Sequence, residues 1–250
     1  MIVSNIILRR YVTGSIYDLE NLSRKRICCG SPHNFNDPID TYFYFSDEEC
    51  FTKSKKILTH HIMDRIRICC FTNQNKINSE RKGINLTSNE ILMWTHYANA
   101  HKGLCFEYDV PKDKFQYIEP NNKDFDEGKI FLYQINYISG LASDFESLFS
   151  QSQDERQAES FEGLLGTCFF TKDDSFKYEK EFRLLAYAKP NDGKTFLPLK
   201  FDYLKKIIFG ERCSEDTKYL VDCINKQIYD NSIDLFQINK HFQEEQYAGE

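Results

Sequence analysis

The residues whose types and spacing can do chemistry gather in Tyr178-Glu179-Lys180-Glu181-Phe182-Arg183. On a strand that starts at or before Glu179, the alternate residues Glu179, Glu181 and Arg183 share one face. Two carboxylates side by side repel, so one must hold its proton or both must share a cation. Arg183 supplies that cation and can hold one carboxylate in a bidentate fork. Such a pair can do acid–base work or stabilise positive charge developing on a sugar ring. The plainer reading is a solvated strand face with charges laid alongside.

Met93-Trp94-Thr95-His96-Tyr97 holds the single tryptophan of the chain. Trp94 and Tyr97 can wall a planar ring, or Trp94 can simply fill the core. His96 is a lone candidate acid or base. Arg10 and Tyr11 sit on the first predicted strand, where a buried arginine meets a carboxylate or a phosphate. Asp37 and Asp40, in a turn-rich segment, are partners for Arg10 or ligands for a metal. Glu127-Gly128-Lys129 has the look of a nuclease acid–lysine pair, on three residues only. No phosphate loop and no dinucleotide glycine fingerprint occurs.

Positioning these residues falls to predicted elements. Strands are expected at 6–12, 26–30, 67–72, 102–110, 129–138, 182–188, 205–209 and 234–242. Thr87 and Glu90 form a capping-box pattern that opens a helix over 87–100, with Ile91, Trp94, Thr95 and Ala98 on one face. Tyr17 to Ser23 reads as a short helix and 48–65 as a longer one. Ser214 caps a last helix whose buried face would be Leu220, Cys223, Ile224 and Ile228. Ser31 to Pro38 is a loop rich in Asn, Asp and Pro. Residues 143–163 read as a helical excursion on the surface, and 243–250 as a frayed tail. Strands and helices mix without strict βαβ alternation, which argues α+β. One domain over residues 1–242 is expected, its mixed or antiparallel split sheet flanked by helices.

Bulk properties narrow the function. The 250 residues carry a net charge of -6, with 15% aromatics. No basic face suggests nonspecific phosphate binding. Nine cysteines fall into no CxxC pairs. Cys28–Cys29 and Cys69–Cys70 are neighbours on strands and so point to opposite faces, which disfavours one shared metal. With no leader and no apolar run of membrane length, they read as reduced thiols of a cytoplasmic protein that avoids membranes.

Four blocks together resemble the bacterial family known as domain of unknown function 2971. They are Leu8-Arg9-Arg10-Tyr11, Phe35-Asn36-Asp37-Pro38-Ile39-Asp40, Met93-Trp94-Thr95-His96-Tyr97 leading to Gly103, and Tyr178-Glu179-Lys180-Glu181-Phe182-Arg183. Their order looks like that of the ADP-ribosyltransferase superfamily, which implies that fold and NAD as substrate. On this resemblance Arg10, with Arg9 as its rival, would hold the pyrophosphate or ribose of NAD, with Tyr11 and Asp37 nearby. Trp94 or Tyr97 would stack near nicotinamide. Glu181 would bind the ribose 2′-hydroxyl and stabilise an oxocarbenium-like transition state, and Glu179 would position the acceptor. The chain has no Ser-Thr-Ser block, and its Trp94–Tyr97 block falls on a predicted helix.

Three functions follow. The first is an NAD-cleaving enzyme that passes ADP-ribose to a macromolecule or to water, acting as a toxin or antiphage effector. The second is a non-catalytic sensor or binding module with a defence or antitoxin partner. The third is a metal-dependent hydrolase or nuclease built on Asp37, Asp40, Glu179 and Glu181.

Overall fold

The computed structural model describes residues 5–35, 66–73, 84–111, 125–139, 169–188, 196–200 and 202–247. The single domain expected over residues 1–242 is described here as two compact units, each assembled from separate stretches of chain. The first comprises Met1–Cys28, Cys70–Phe115 and Pro198–Glu250, and the second Cys29–Cys69 and Gln116–Leu197.

The first unit is built on a mostly antiparallel sheet. Strand β1 (Asn5–Val12) leads into helix α1 (Ile16–Ser23) and strand β2 (Arg26–Gly30). Strand β3 (Ile66–Asn73) pairs antiparallel with β1 through Leu8 opposite Asn73 and Arg9 opposite Thr72. After the short β4 (Ile84–Asn85) comes helix α2 (Ser88–Tyr97), then β5 (Leu104–Pro111). β1 and β5 pair along their full length, which sets Arg9 opposite Glu107 and Tyr11 opposite Cys105. β5 alternates as expected at Leu104, Phe106 and Tyr108, which are buried, against the half-buried Glu107, although Cys105 is buried too.

The second unit holds β6 (Phe125–Gln134), β7 (Asn136–Ile138), β8 (Thr171–Asp173) and β9 (Glu181–Ala188). β6 and β9 pair antiparallel, with Tyr133 opposite Arg183 and Leu132 opposite Leu184. β7 and β8 run parallel, with Tyr137 opposite Lys172. β10 (Phe196–Lys200) leads back to the first unit's β11 (Leu204–Phe209), helix α3 (Glu215–Ile228), β12 (Asp234–Ile238) and β13 (Gln243–Gln246). There β11 pairs antiparallel with β5 and parallel with β12, β12 pairs with β13, and β13 with β4. The α+β class with a mostly antiparallel sheet and few helices therefore stands.

Local chemistry explains most element ends. Thr87 and Glu90 form the expected capping box of α2, and Ser214 caps α3. Ser15 and Asp18 form a second box at the start of α1. α2 ends in an unusual turn, because Asn99, Ala100 and His101 are consecutive left-handed residues with φ of 49°, 51° and 68°. The turn brings backbone against backbone. A side chain on Gly103 would collide with the Val12 carbonyl, and one on Gly210 with the His101 carbonyl, so only glycine fits.

Three expectations need correction. The buried face of α2 is Glu90, Met93, Trp94 and Ala98, with Thr95 exposed, because the Glu90 carboxylate turns inward to Arg9. The buried face of α3 is Lys218, Val221 and Asn225, while Leu220 and Ile228 are exposed. Asn225 turns in because its amide binds both the carbonyl and the N–H of Ile233, fixing the turn into β12. Within the stretch expected to fray, Gln243–Gln246 forms β13 instead. It is held by the sheet, by a Gln243 side-chain bond to Asn85 and by an ion pair from Glu244 to Arg9. The expected helices at 48–65 and 143–163 lie outside the described residues.

Candidate functional site

In the second unit, β9 begins at Glu181, so Glu179 is not on the strand. It ends a 3-10 helix over Asp174–Glu179, and Lys180 follows with a left-handed φ of 46°. That bend delivers Glu179 to the same centre that alternation serves for Glu181 and Arg183. The carboxylates meet on Lys172, whose Nζ lies 2.7 Å from Glu179 Oε2 and 3.4 Å from Glu181 Oε2. Arg183 completes the cluster, its Nε 2.7 Å from Glu181 Oε1 and its Nη2 3.2 Å from Oε2. Its Nη1 donates to the Phe169 carbonyl at 3.0 Å.

Two cations thus meet two carboxylates in a nearly dry setting. Arg183 is 0% exposed, Glu179 and Glu181 4% and Lys172 7%. Aromatic rings border the cations, with Phe35 5.3 Å from the Arg183 guanidinium carbon and Phe176 4.6 Å from Lys172 Nζ. Tyr137 Oη accepts the backbone N–H of Glu181 at 2.8 Å, which pins the first residue of β9. Burial pushes the Tyr137 phenol up, so it stays protonated. Burial, and then the Glu179 carboxylate, push Tyr178 up as well. Lys172 and Tyr137 give no local signal in the sequence, since each is an ordinary strand residue brought in by the β7–β8 pairing.

Of the remaining candidates, Glu127-Gly128-Lys129 lies on β6 of the second unit, and the others lie in the first unit or outside the described residues. Arg9 meets three carboxylates in the first unit. Its Nε lies 2.8 Å from Glu107, Nη1 3.1 Å from Glu90 and Nη2 2.7 Å from Glu244. Lys206 adds a second cation 3.5 Å from Glu107. Burial draws the Arg9 pKa down, but Glu244 and Glu107 outweigh it and hold the guanidinium well above its usual value. Arg10 donates to the Cys28 carbonyl at 3.2 Å.

Trp94 is fully buried and Tyr11 nearly so, and Tyr11 packs edge-on against Trp94 with ring centres 5.2 Å apart. His101 lies parallel to the other ring at 6.3 Å. Trp94 therefore fills the core, where the sequence also allowed an open wall. The Tyr11 hydroxyl and Trp94 Nε1 have no hydrogen-bond partner among the described residues. Tyr97 is half-buried and His96 exposed. Asp37 and Asp40 lie outside the described residues.

Among the described residues, no group of three or more His, Cys, Asp or Glu side chains is placed to hold a metal. Seven cysteines lie among the described residues. Cys29 and Cys69 are buried and Cys70 exposed, as expected for adjacent strand residues. No helix among the described residues is long and apolar enough to cross a membrane.

No curated protein matches the chain, and no solved structure does. Residues 93–184 match a family model described as a protein of unknown function, DUF2971, over a segment that runs from Met93 beside Trp94 through Lys172 and Glu179 to Arg183 and Leu184.

Proposed function

We propose that the Glu179–Lys172–Glu181–Arg183 cluster is the carboxylate centre of an enzyme that cleaves the nicotinamide–ribose bond of NAD and passes ADP-ribose to a macromolecule or to water. The observation that carries this reading is the fixing of Glu181 through both oxygens by Arg183. When that bond breaks, nicotinamide leaves with the electron pair and positive charge develops on the ribosyl carbon. A carboxylate already oriented stabilises that charge without reorganising as it forms. Glu179, tied to Lys172, would take the proton of the attacking hydroxyl. The Lys172–Glu181 contact, at 3.4 Å, is longer than the Lys172–Glu179 contact at 2.7 Å, so Lys172 would yield Glu181 to the substrate and stay on Glu179.

A non-catalytic binding module is the second reading, favoured by the burial of the four side chains. The two readings separate in one experiment. NAD binding is measured by calorimetry and nicotinamide release by chromatography, for the wild type and for Glu181→Gln. The enzyme reading expects release that Glu181→Gln abolishes while NAD still binds. Neither binding nor release at millimolar NAD, or equal release in the variant, would sink it and leave the binding module.

A further inference from the structure

The parallel strands β7 and β8 set Tyr137 across from Lys172, so the two side chains leave the same face of that small sheet. Lys172 reaches the carboxylates of Glu179 and Glu181. Tyr137 reaches the main chain of Glu181, whose N–H it accepts at 2.8 Å. Both residues therefore serve one centre from one side.

The bond from Glu181 uses only part of the phenol. A tyrosine hydroxyl accepts through its lone pairs and also donates one proton. The Glu181 N–H occupies one lone pair, and among the described residues no acceptor receives the proton. The oxygens of Glu181 are held by Arg183 instead, and Lys172 lies on Glu179. Tyr137 is half-buried, neither sealed in the core nor free in water. Burial keeps its phenol protonated.

A donor beside carboxylates selects its ligand. Ionised Glu179 and Glu181 only accept, while Tyr137 has a proton to give. A phosphate would be repelled by the carboxylates, and a carbonyl could not donate to them. A sugar hydroxyl does both, since it donates to a carboxylate and accepts from a phenol. Two vicinal hydroxyls span more distance than one, which suits groups that stand apart.

We propose, on the reading that this centre cleaves NAD, that Tyr137 is a further substrate-binding residue, whose O–H donates to one hydroxyl of the nicotinamide ribose while the adjacent hydroxyl donates to Glu181. The phenol then does two jobs. Its oxygen positions the start of β9, and its proton holds the sugar against the carboxylate placed there. That bond is as good before the glycosidic bond breaks as during it, so its loss raises KM and spares kcat.

The test uses the full chain, with NAD binding followed by calorimetry and nicotinamide release by chromatography. Tyr137→Phe should weaken NAD binding and raise KM by about five- to tenfold, with kcat nearly unchanged. Against an NAD analogue whose nicotinamide ribose lacks both hydroxyls, the variant should bind as well as the wild type. Site-specific Tyr137→3-fluorotyrosine makes the phenol a stronger donor and a weaker acceptor. It should bind NAD more tightly, whereas a phenol that only pins Glu181 would gain nothing, and this arm stands even where Tyr137→Phe fails to fold. The proposal is overturned by unchanged NAD binding in Tyr137→Phe, by an equal loss against the deoxy analogue, or by unchanged or weaker binding in the fluorinated protein. Nicotinamide release beside any of those results keeps the NAD reading and removes Tyr137 from it. The expected binding results without release keep Tyr137 as a sugar-binding residue and sink the cleavage reading. No binding of NAD by the wild type overturns both.

Discussion

Arg183 grips Glu181 by two N–H groups from a position two residues away on the same strand, one to each carboxylate oxygen. Neighbours at that spacing share a face, and burial of both makes the pair depend on itself rather than on water.

Removal of either partner takes a two-point ionic contact from a buried charge. Arg183→Met is expected to cost about 3–5 kcal/mol in urea unfolding. The Glu181→Gln/Arg183→Met double variant should cost less than the two singles together, with a coupling of about 1–3 kcal/mol. Simple additivity would show that the grip seen here contributes nothing.

The Arg9 cluster makes the chain sensitive to acid. Burial pushes Glu107 up, but Arg9 and Lys206 outweigh it and hold the carboxyl below its ordinary value of 4.5. A carboxyl lowered in this way contributes stability that is present above its unfolded pKa and is lost as pH falls through the folded one. Glu90 and Glu244 face the same guanidinium. Urea midpoints taken from pH 7 downward should fall below about pH 4.5, and Glu107→Gln should flatten that slope. An unchanged slope in the variant would mean that other groups set it.

Glu90 serves two masters, and its substitutions should separate them. One oxygen accepts from the Thr87 N–H and hydroxyl, each at 2.8 Å, and the other pairs with Arg9. Glu90→Gln keeps an oxygen for the cap, whereas Glu90→Ala loses both. The alanine variant should therefore be less stable than the glutamine one by about 1 kcal/mol, read from chemical unfolding. Equal losses would show that only the charge matters.

Ala100 sits in a left-handed conformation that costs a residue with a Cβ about 1–2 kcal/mol. Its side chain is exposed, so Ala100→Gly should relieve the strain at little cost in packing. The added freedom of the unfolded glycine offsets part of the gain, leaving up to about 1 kcal/mol of stabilisation. A melting temperature that fails to rise would show that the turn is not strained.

What could be read in advance was local. Both predicted caps, at Thr87 and Ser214, depend on side chains within three residues of the helix start, and both are present. Alternation in β5 is equally local. The union of Glu179 with Glu181 was anticipated for the wrong reason, because a left-handed Lys180 rather than a longer strand joins them. Lys172 could not be anticipated, since only the β7–β8 pairing brings it there. The Arg9–Glu107 ion pair was likewise not local, since it depends on the β1–β5 register that sets the two residues opposite each other. The inward turns of Glu90 and Asn225 depend on partners that are distant or beyond the helix end, and apolar periodicity does not register them.

The weaving of the two units has a consequence for synthesis on the ribosome. Boundaries between them fall after residues 28, 69, 115 and 197. β5 leaves the ribosome long before β11, its sheet neighbour from Leu204 onward. Until then the β5 edge is an unpaired template for other strands, and Arg9 still lacks Glu244, which is made later still. Nascent chains halted before residue 204 should therefore bind chaperones and resist release, while chains extended past β13 can close the first unit.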